Sequence, residues 1–454
     1  VFGHGWGRTY RDFIPVAEAL APVASSYLID FPGFGDSPRP DESWGTEDYA
    51  DHMTRFLEQS HLRQKTGEKL AKSLKTVIIF GGASSEHDVS VVSAHQLMDA
   101  ADVRRVDVLP VYTDFANRFW IGPHLRDISK YTPRPPLSQQ VTFRWGDNGP
   151  VICTMDGTVI QPVDCVLPVF HGTFGEDGRI QAYFELLGVP VTGLSASSTS
   201  IAMRKDVTKA LVKAAGVNVL PHITVTRAQI EDADLILPDV KAALGYPVIV
   251  KPANLGSSVG VGLVKSEHDP LWPLVEYVLK KDTLCLIEPQ VQNLVEYNIA
   301  MIANGEEIKL SAIERPKSGA ELLDFREKYL SDDGGTKGTF KPSEGMLSLT
   351  RDINPDLPKA LQDKIYDFAR RTFSALGKRG APRIDFMSNK ETGELWFNEI
   401  NAIPGSYGFF LWEAAAEPLL FPELIQHLID EATGDTIKTF EDPVPQDARL
   451  LPRR

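Results

Sequence analysis

The sequence has few cysteines, no long apolar run and no excess of basic residues. Its three cysteines, Cys153, Cys165 and Cys285, show no metal-type spacing, so we expect reduced, partly buried thiols. No uncharged apolar run reaches the ~18 residues that a helix needs to cross a bilayer, and no export signal is visible. The formal charge of −14 argues against a nucleic-acid partner, which requires a basic surface. We therefore expect a cytoplasmic protein that neither inserts into a membrane nor binds nucleic acid.

A chain of 454 residues is expected to hold several domains. The first 58 or so residues differ in kind from the rest, and a polar stretch separates them from a new start at a buried-type strand, which runs into Gly81–Gly82 and a helix. Further strands and helices then alternate, which predicts α/β and α+β layers. The predicted segments are 1–59, a linker at 60–74, three domains at 75–194, 195–289 and 290–439, and a proline-rich tail at 440–454.

Hydrophobic patterns place individual elements within these domains. Strands are predicted at Lys75–Phe80, Val106–Tyr112, Cys165–Phe170, Ala243–Pro252 and Gly260–Val264. Helices are predicted at Lys205–Ala215 and near Pro422–Ala432.

Near the C-terminal end, two strand-like segments predict a β-hairpin. They are Pro382–Ser388 and Glu394–Asn401, joined by the turn-like Asn389–Gly393. Because successive side chains alternate faces, a symmetric hairpin separates polar from apolar side chains. The polar face would carry Arg383, Asp385, Glu399 and Asn401, and the buried face would carry Ile384, Phe386, Trp396 and Ile400.

The polar face of this hairpin predicts a metal and phosphate site. Asp385 would lie directly opposite Glu399, and like charges in that position destabilise a sheet unless a cation lies between them. Two carboxylates together with the Asn401 amide offer oxygen ligands that suit Mg²⁺, which usually also takes substrate phosphates. The alternative is a solvated strand face with ordinary charges.

A second phosphate motif lies at Val248–Gly262. Lys251 ends a strand, and the Gly/Ser loop Gly256–Gly260 returns into another strand. Glycines allow backbone N–H groups to wrap phosphate oxygens, while the lysine supplies positive charge. The same loop fits a serine nucleophile elbow around Ser258, but that elbow requires a strand-to-helix turn. The strand-to-strand context therefore favours phosphate binding.

Together these motifs resemble the D-alanine--D-alanine ligases of the ATP-grasp superfamily over about residues 75–435. The matching motifs, in chain order, are Gly81–Gly82 with Glu86 and Ser90, His171–Gly178, Lys251 with Gly256–Gly260, Lys328–Asp332, Arg383–Asp385 and Glu399–Gly405. The resemblance implies a three-domain ATP-grasp ligase, preceded by an incomplete α/β-hydrolase-like segment.

The resemblance also implies a role for each matching residue. ATP phosphates would be held by Lys205, Lys251, Ser258 and Lys328, the adenine by Glu288 and the chain through Val291, and the ribose by Glu296. Two Mg²⁺ ions, with Mn²⁺ as the alternative, would be bound by Asp385, Glu399 and Asn401. Arg383 and the Gly405 N–H would stabilise the tetrahedral intermediate. Glu86, Ser257 and Tyr329 would close the site, and Glu86 would meet the first D-alanine with His171 nearby.

The expected reaction makes D-alanyl-D-alanine for peptidoglycan synthesis through an acyl phosphate. Phosphoryl transfer depends on positioning and charge neutralisation, which fits three lysines, an arginine and paired acids. The segment Leu322–Phe340, which contains Lys328 and Tyr329, is predicted to be a closing loop that excludes water. A homodimer is one expected assembly.

The sequence departs from the family pattern after Pro404–Gly405. The serine that would hold the carboxylate of the second substrate falls at Phe410, which has no side-chain donor, and Ser406 is the candidate to replace it. Tyr329 favours amide formation over ester formation. Two alternatives stay open: an ATP-grasp ligase with another second substrate, and a nucleotide-binding protein without catalysis.

The first 58 residues resemble the early part of an α/β-hydrolase. The similarity lies in Val1–Gly7 and Tyr27–Pro38. No nucleophile elbow or Ser, Asp and His in the required order and context follow. We expect an inactive remnant fused to the ligase.

Overall fold

The computed structural model describes Ser37 and residues 73–131, 135, 138–256, 260–317 and 351–434. The chain divides into two compact units, Val1–Ala71 and Lys72–Arg454. All elements below belong to the second unit. The predictions for the hydrolase-like segment, most of the linker, the closing loop and the tail lie outside the described residues.

The first sheet has the strand order β6-β5-β4-β3-β2-β1-β7. The parallel strands are at one end of this sheet, where β1 pairs with β2 and with the edge strand β7. Residues 77–80 of β1 are almost fully buried, as expected for a parallel strand that is covered on both faces. The strands are β1 (Leu74–Gly81), β2 (Val106–Thr113), β3 (Phe119–Ile121), β4 (Gln139–Gly146), β5 (Gly149–Thr154), β6 (Val159–Pro162) and β7 (Cys165–Val169).

Helices α1 (His87–Ala100) and α2 (Arg179–Leu186) belong to the same layer. Each follows the carboxyl end of a parallel strand, α1 after β1 and α2 after β7. Ligands of α/β sheets bind outside the carboxyl ends of strands. The turns at these two ends therefore face a natural crevice.

The second sheet is antiparallel, with the order β10-β9-β11-β8. Its strands are β8 (Ile223–Thr226), β9 (Val248–Pro252), β10 (Gly262–Val264) and β11 (Leu284–Pro289). The helices of this region are α3 (Ala196–Met203), α4 (Lys205–Ala214), α5 (Ala233–Ala243) and α6 (Leu271–Lys281).

The third sheet has the order β15-β14-β12-β16-β17, with β13 paired to β12. Its strands are β12 (Leu294–Asn304), β13 (Glu307–Leu310), β14 (Glu314–Pro316), β15 (Arg351–Ile353), β16 (Arg383–Asn389) and β17 (Leu395–Asn401). The helices are α7 (Lys359–Ala375), α8 (Phe409–Glu413) and α9 (Phe421–Gly434). Apolar residues of this sheet share one core cluster with α1, β1 and β7.

Most predicted elements agree with these bounds within a few residues, and two predictions are corrected. The strand predicted from Ala243 begins only at Val248, because α5 continues to Ala243 and a loop follows. Leu74, predicted to lie in the linker, already belongs to β1.

The three cysteines are buried and form no disulfide. Within the described part of the chain, no helix combines the length and apolar character that crossing a membrane requires.

Candidate active site

The predicted hairpin is formed by β16 and β17, and its register at the site is the predicted one. Asp385 is the partner of Glu399, and Arg383 is the partner of Asn401. A β-bulge then interrupts the ladder, because Phe386 pairs with Phe397 rather than with Asn398. Bulges redirect side chains next to functional sites, and here Asn398 is the extra residue.

The bulge corrects one part of the predicted apolar face. Trp396 was placed on that face, but it is only half-buried and pairs with Met387. Phe397 and Leu395 are fully buried instead. A one-residue shift reverses the face of every following side chain, so the alternation changes beyond the bulge. The other predicted apolar residues, Ile384, Phe386 and Ile400, are buried.

The two opposed carboxylates of the hairpin each have a cationic partner within the chain. Arg383 donates from Nε to Oδ1 of Asp385 at 2.7 Å and from Nη2 to Oδ2 at 2.8 Å. Asn401 donates its amide to the same Oδ2 at 3.1 Å. Glu399 Oε2 lies 3.1 Å from Lys205 Nζ. Both acids of this face therefore have protein cations as partners, and the predicted metal site stays a prediction.

A buried cluster of two lysines and one glutamate lies at the neighbouring β9 and β11 strands. Lys251 donates to Oε1 of Glu288, and Lys209 Nζ lies 2.9 Å from Oε2 of the same carboxylate. Burial alone would raise the pKa of Glu288, but Lys209 and Lys251 outweigh it and lower the pKa to about 2. Lys251 also donates to Asn398 Oδ1 at 3.1 Å. Asn398 at the bulge thus links the cluster to the hairpin.

The first sheet contributes its strand-end turns to the same region. A Cβ atom on Gly172 would lie 2.8 Å from Oε2 of Glu86, and one on Gly256 would lie 3.4 Å from that oxygen. The Glu86 carboxylate therefore lies against both the turn after β7 and the start of the Gly/Ser loop. Only backbone without a side chain permits this approach at Gly172.

His171 is held in the neutral form beside this turn. Burial lowers the pKa of His171 to about 4, with Arg383 acting in the same direction and the Ile403 backbone opposing it. Its Nε2 lies 3.1 Å from the Ser93 hydroxyl. The effect of Arg383 on this pKa places His171 near the arginine of the hairpin.

The turn that follows Asn401 has an unusual backbone. Ser406 has φ 46° and Tyr407 has φ 54°, both in the left-handed region that non-glycine residues seldom adopt. The Tyr407 hydroxyl donates to the Pro168 carbonyl at 2.7 Å, and the Ser406 amide donates to Ser93 Oγ at 3.2 Å. Strain of this kind persists where surrounding contacts fix it, often at functional sites.

Ser406 and Phe410, the two candidates for the second-substrate subsite, have different surroundings. The hydroxyl of Ser406 donates to Gln96 of α1, and the residue is buried. The Phe410 ring is half-buried, with the Arg351 guanidinium 4.8 Å from its centroid. Arg351 also pairs with the buried Glu314 at 2.8 Å.

One cavity gathers several of the predicted residues. It is lined by Gly172, Glu176, Ala202, Met203, Lys205, Gly256, Glu399, Ile400, Asn401 and Ala402. Basic and acidic groups thus meet at the junction of all three sheet regions. Ser257, Ser258, Lys328 and Tyr329 lie outside the described residues, so their predicted roles stay predictions.

Comparisons with known proteins agree with this architecture. The family description "D-ala D-ala ligase N-terminus" matches residues 75–194, and "D-ala D-ala ligase C-terminus" matches residues 211–430. A D-alanine--D-alanine ligase A of Bradyrhizobium diazoefficiens is 31% identical over 376 residues, which cover 80% of this chain and 96% of the relative. The chain belongs to the D-alanine--D-alanine ligase family.

Other relatives and solved structures support the assignment of this ligase-family chain. A D-alanine--D-alanine ligase of Chlorobium phaeovibrioides is 30% identical over 80% of this chain and 97% of its own length. The D-alanine-D-alanine ligase from Coxiella burnetii matches with TM-score 0.64 and 25% identity, over 80% of this chain and 95% of that structure. The VanG D-Ala:D-Ser ligase from Enterococcus faecalis has the same TM-score and identity, over 80% of this chain and all of that structure.

The ligase-family match begins at residue 75, and a different description covers the start. "Alpha/beta hydrolase fold" matches residues 1–66, which agrees with the predicted resemblance of this segment. Whether the segment is an inactive remnant stays a prediction.

Three residues of this ligase-family site were missed by sequence reasoning. Lys209 follows Lys205 by one helical turn on α4, so the spacing that places both on one helix face was an available signal. Glu176 lies in a motif that was recognised but received no role. Asn398 reaches Lys251 only because of the bulge, and no sequence signal marks that bulge.

The remaining predicted residues are positioned by β12 and the end of β11. Glu296 lies on β12 and is the partner of Met387. In the same strand pair, Asn298 is the partner of Asp385, so Glu296 and the metal-ligand candidate share one face of the sheet. Val291 follows β11 and is half-buried. The adenine and ribose contacts predicted for these residues stay proposals.

Proposed function

We propose that this ligase-family protein joins two D-alanines into D-alanyl-D-alanine with cleavage of ATP, for peptidoglycan precursor synthesis. The observation that carries the proposal is the hairpin face: Lys205, Glu399 and Asn401 line one cavity, and Asn401 donates to Asp385 of the Arg383–Asp385 pair. A carboxylate does not react with an amine at neutral pH, so it must first be activated. Phosphoryl transfer to the first D-alanine provides an acyl phosphate that the second can attack.

Phosphate binding is assigned to the lysines of the site. Lys205 and Lys251 reach the region from α4 and β9, and their ammonium groups offset the negative charge of triphosphate. Lys205 already lies 3.1 Å from Glu399, so bound phosphate would replace part of that contact. Glu288, Val291 and Glu296 are the proposed adenine and ribose contacts. Lys328 and Ser258 are proposed to complete the phosphate site.

The donor set fits divalent metal ions. Asp385, Glu399 and Asn401 offer hard oxygen ligands, and each carboxylate oxygen can accept more than one interaction. Among the described residues, no group of three His, Cys, Asp or Glu side chains is placed to hold a metal ion, so the proposed site also uses the Asn401 amide oxygen and phosphate oxygens. We propose two Mg²⁺ ions, with Mn²⁺ as a substitute. When bound, they would neutralise charge on the transferring phosphoryl group.

Arg383 and the Gly405 amide are proposed to stabilise the oxyanion of the tetrahedral intermediate. The guanidinium is fixed by its two-point contact with Asp385, so it needs no reorganisation during the reaction. The amides of Ile403 and Ser406 on either side of Gly405 are already hydrogen-bonded. This arrangement favours Gly405 as the backbone donor.

The first D-alanine is assigned to Glu86 and His171. The Glu86 carboxylate, proposed to close the site with Ser257 and Tyr329, suits the substrate ammonium group. His171 is neutral near pH 7, because burial lowers its pKa to about 4. A neutral imidazole adds no charge that would repel this ammonium group.

We propose a cytoplasmic location, no nucleic-acid or membrane partner, and a homodimer as one assembly.

A second candidate function is a ligase with another second substrate. Phe410 and Arg351 favour it, because an aromatic ring under a guanidinium replaces the expected serine hydroxyl. The related VanG structure is named a D-Ala:D-Ser ligase, which makes small D-amino and hydroxy acids the substrates to compare. A nucleotide-binding protein without catalysis is the least favoured alternative, since nucleotide binding alone does not need the Arg383–Asp385 fork.

The experiment is an ADP-release assay with mass analysis of the product. The purified chain should release ADP only when ATP, Mg²⁺ and D-alanine are all present, and the product mass should be that of D-alanyl-D-alanine. Addition of D-serine or D-lactate as competing second substrates tests the other ligase function. ADP release that is independent of D-alanine would contradict the proposal.

A further inference from the structure

The carboxyl group of Glu176 links two backbone segments that are far apart in the chain. Its Oε2 accepts the Gly172 amide at 2.8 Å, and its Oε1 accepts the Ile403 amide at 3.0 Å. Gly172 lies in the turn after β7, and Ile403 precedes the Pro404–Gly405 turn. One side chain of the first sheet region therefore holds the segment that leaves β17.

The loop that carries Glu176 is itself tightly fixed. Gln181 donates to the Gly175 carbonyl at 2.9 Å, and Asp177 Oδ2 accepts the Phe174 amide at 2.9 Å. A Cβ atom on Gly175 would lie 1.9 Å from the Phe170 side chain. Because this loop has little room to shift, the side chain of Glu176 has a fixed position. The hydrogen bond to Glu176 therefore fixes the position of the Ile403 amide.

The segment after Ile403 has little freedom as well. The Tyr407 amide donates to the Pro404 carbonyl at 2.7 Å, which closes a turn around Gly405. We therefore expect a shift of Ile403 to be passed on to this turn. A displacement of about 1 Å at a reacting group can cost roughly 10²-fold in rate.

We propose that Glu176 is a positioning residue of the ligase reaction: it ties Ile403 to the Gly172 turn and so places the Gly405 amide against the reacting carboxyl group. This inference rests on the proposed function. Keeping an acid here is unfavourable by itself, since burial and the nearby Glu86 raise the pKa of Glu176 to about 8. A carboxyl group placed at such a cost is consistent with a role that a smaller or apolar side chain cannot fill.

Two substitutions at Glu176 give a graded test. Glu176→Gln keeps one acceptor oxygen but turns an amide N–H toward the other donor, so one of the two links is lost. Glu176→Ala removes both links. We expect kcat to fall about 10-fold in the first and about 100-fold in the second, with the KM for ATP and the affinity for a non-hydrolysable ATP analogue within about twofold of the unaltered chain.

Glu185→Ala is the matched control. Glu185 also accepts a backbone amide, that of Ala196 at 2.8 Å, but it is exposed and lies outside the cavity. We expect this variant to keep kcat. Equal losses of kcat in Glu185→Ala and Glu176→Ala would overturn the proposal, as would Glu176→Ala with unchanged kcat.

Hydrogen exchange measured by mass spectrometry tests the two hydrogen bonds of Glu176 without catalytic turnover. Peptides that contain the Gly172 and Ile403 amides should exchange faster in Glu176→Ala, and peptides of α6 should not change. Unchanged exchange at both amides would overturn the proposed tie. If the unaltered chain releases no ADP with D-alanine, the proposed function fails, and the exchange result still shows separately whether Glu176 holds the turn.

Discussion

Replacing Lys209 by methionine tests the buried charge cluster next to the site. The Lys209 side chain has no exposed surface, and Glu288 is 2% exposed. Removing one partner of a buried ion pair costs about 3–5 kcal/mol. The low pKa of Glu288, about 2 instead of 4.5, corresponds to roughly 3 kcal/mol as the net of the burial cost and the interactions with both lysines. Because Lys251 remains as a partner, we expect Lys209→Met to lower the free energy of unfolding by about 2 kcal/mol.

The assay is urea unfolding of the full chain near pH 7 without nucleotide, followed by tryptophan fluorescence. Lys241→Met is the control, because Lys241 pairs with Glu267 on the surface with 61% of the lysine side chain exposed. An exposed pair of this kind contributes less than about 1 kcal/mol. Equal destabilisation by the two substitutions would refute the argument that burial makes the Lys209 contact strong.

The pH dependence gives an independent check on the same cluster. Since the pKa of Glu288 is lower in the folded chain than in the unfolded chain, its stabilising contribution is present above about 4.5 and is lost as the pH falls toward about 2. Lys209→Met should raise the folded pKa of Glu288 and reduce the loss of stability in this range. An unchanged pH profile in the variant would show that Lys209 does not set the ionisation of Glu288.

Three further substitutions address the chemistry. Arg383→Lys should lower kcat by about 10²-fold or more without changing the nucleotide affinity, because lysine cannot form the two-point contact with Asp385. Steady-state kinetics and a nucleotide-binding titration check this. An unchanged kcat would contradict the proposed role of Arg383. Glu399→Gln should raise the Mg²⁺ concentration for half-maximal activity about 10-fold, measured by Mg²⁺ titration of ADP release, and an unchanged midpoint would remove Glu399 from the ligand set. Phe410→Ser should change the KM of the second D-alanine about 5-fold or more without changing that for ATP; if both KM values stay the same, Phe410 does not line the second subsite.

Local pattern was enough to predict much of the fold. The strands at β1, β2 and β7 follow from apolar runs bounded by turns, and the hairpin register at Arg383 and Asp385 follows from the two-residue period. The strand predicted from Ala243 was wrong, because the end of a helix and an apolar strand start can look alike over a few residues. The short strands β3 to β6 and the pairing of β12 were not predicted, since they depend on non-local contacts.

Sequence reasoning named candidate site residues, but it did not predict how these residues pair with one another. The types and order of Lys205, Lys251, Arg383 and Asp385 pointed to phosphate and metal chemistry. Their partners did not follow from sequence, because Lys205, which pairs with Glu399, comes from another element. Charge balance in a sheet depends on every side chain that reaches it, including those distant in the chain.

By itself, the sequence determined the family and the chemical character of the site, because motif residues and their spacing specify which groups are available. Tertiary structure decided how those groups are paired and held. The bulge that turns Asn398 toward Lys251, the burial of Lys209 against Glu288 and the bridge from Glu176 to Ile403 each join segments that no local pattern connects. The physical reason is that hydrogen bonds and ion pairs depend on distances of a few ångströms, which are fixed only when the three sheets pack together.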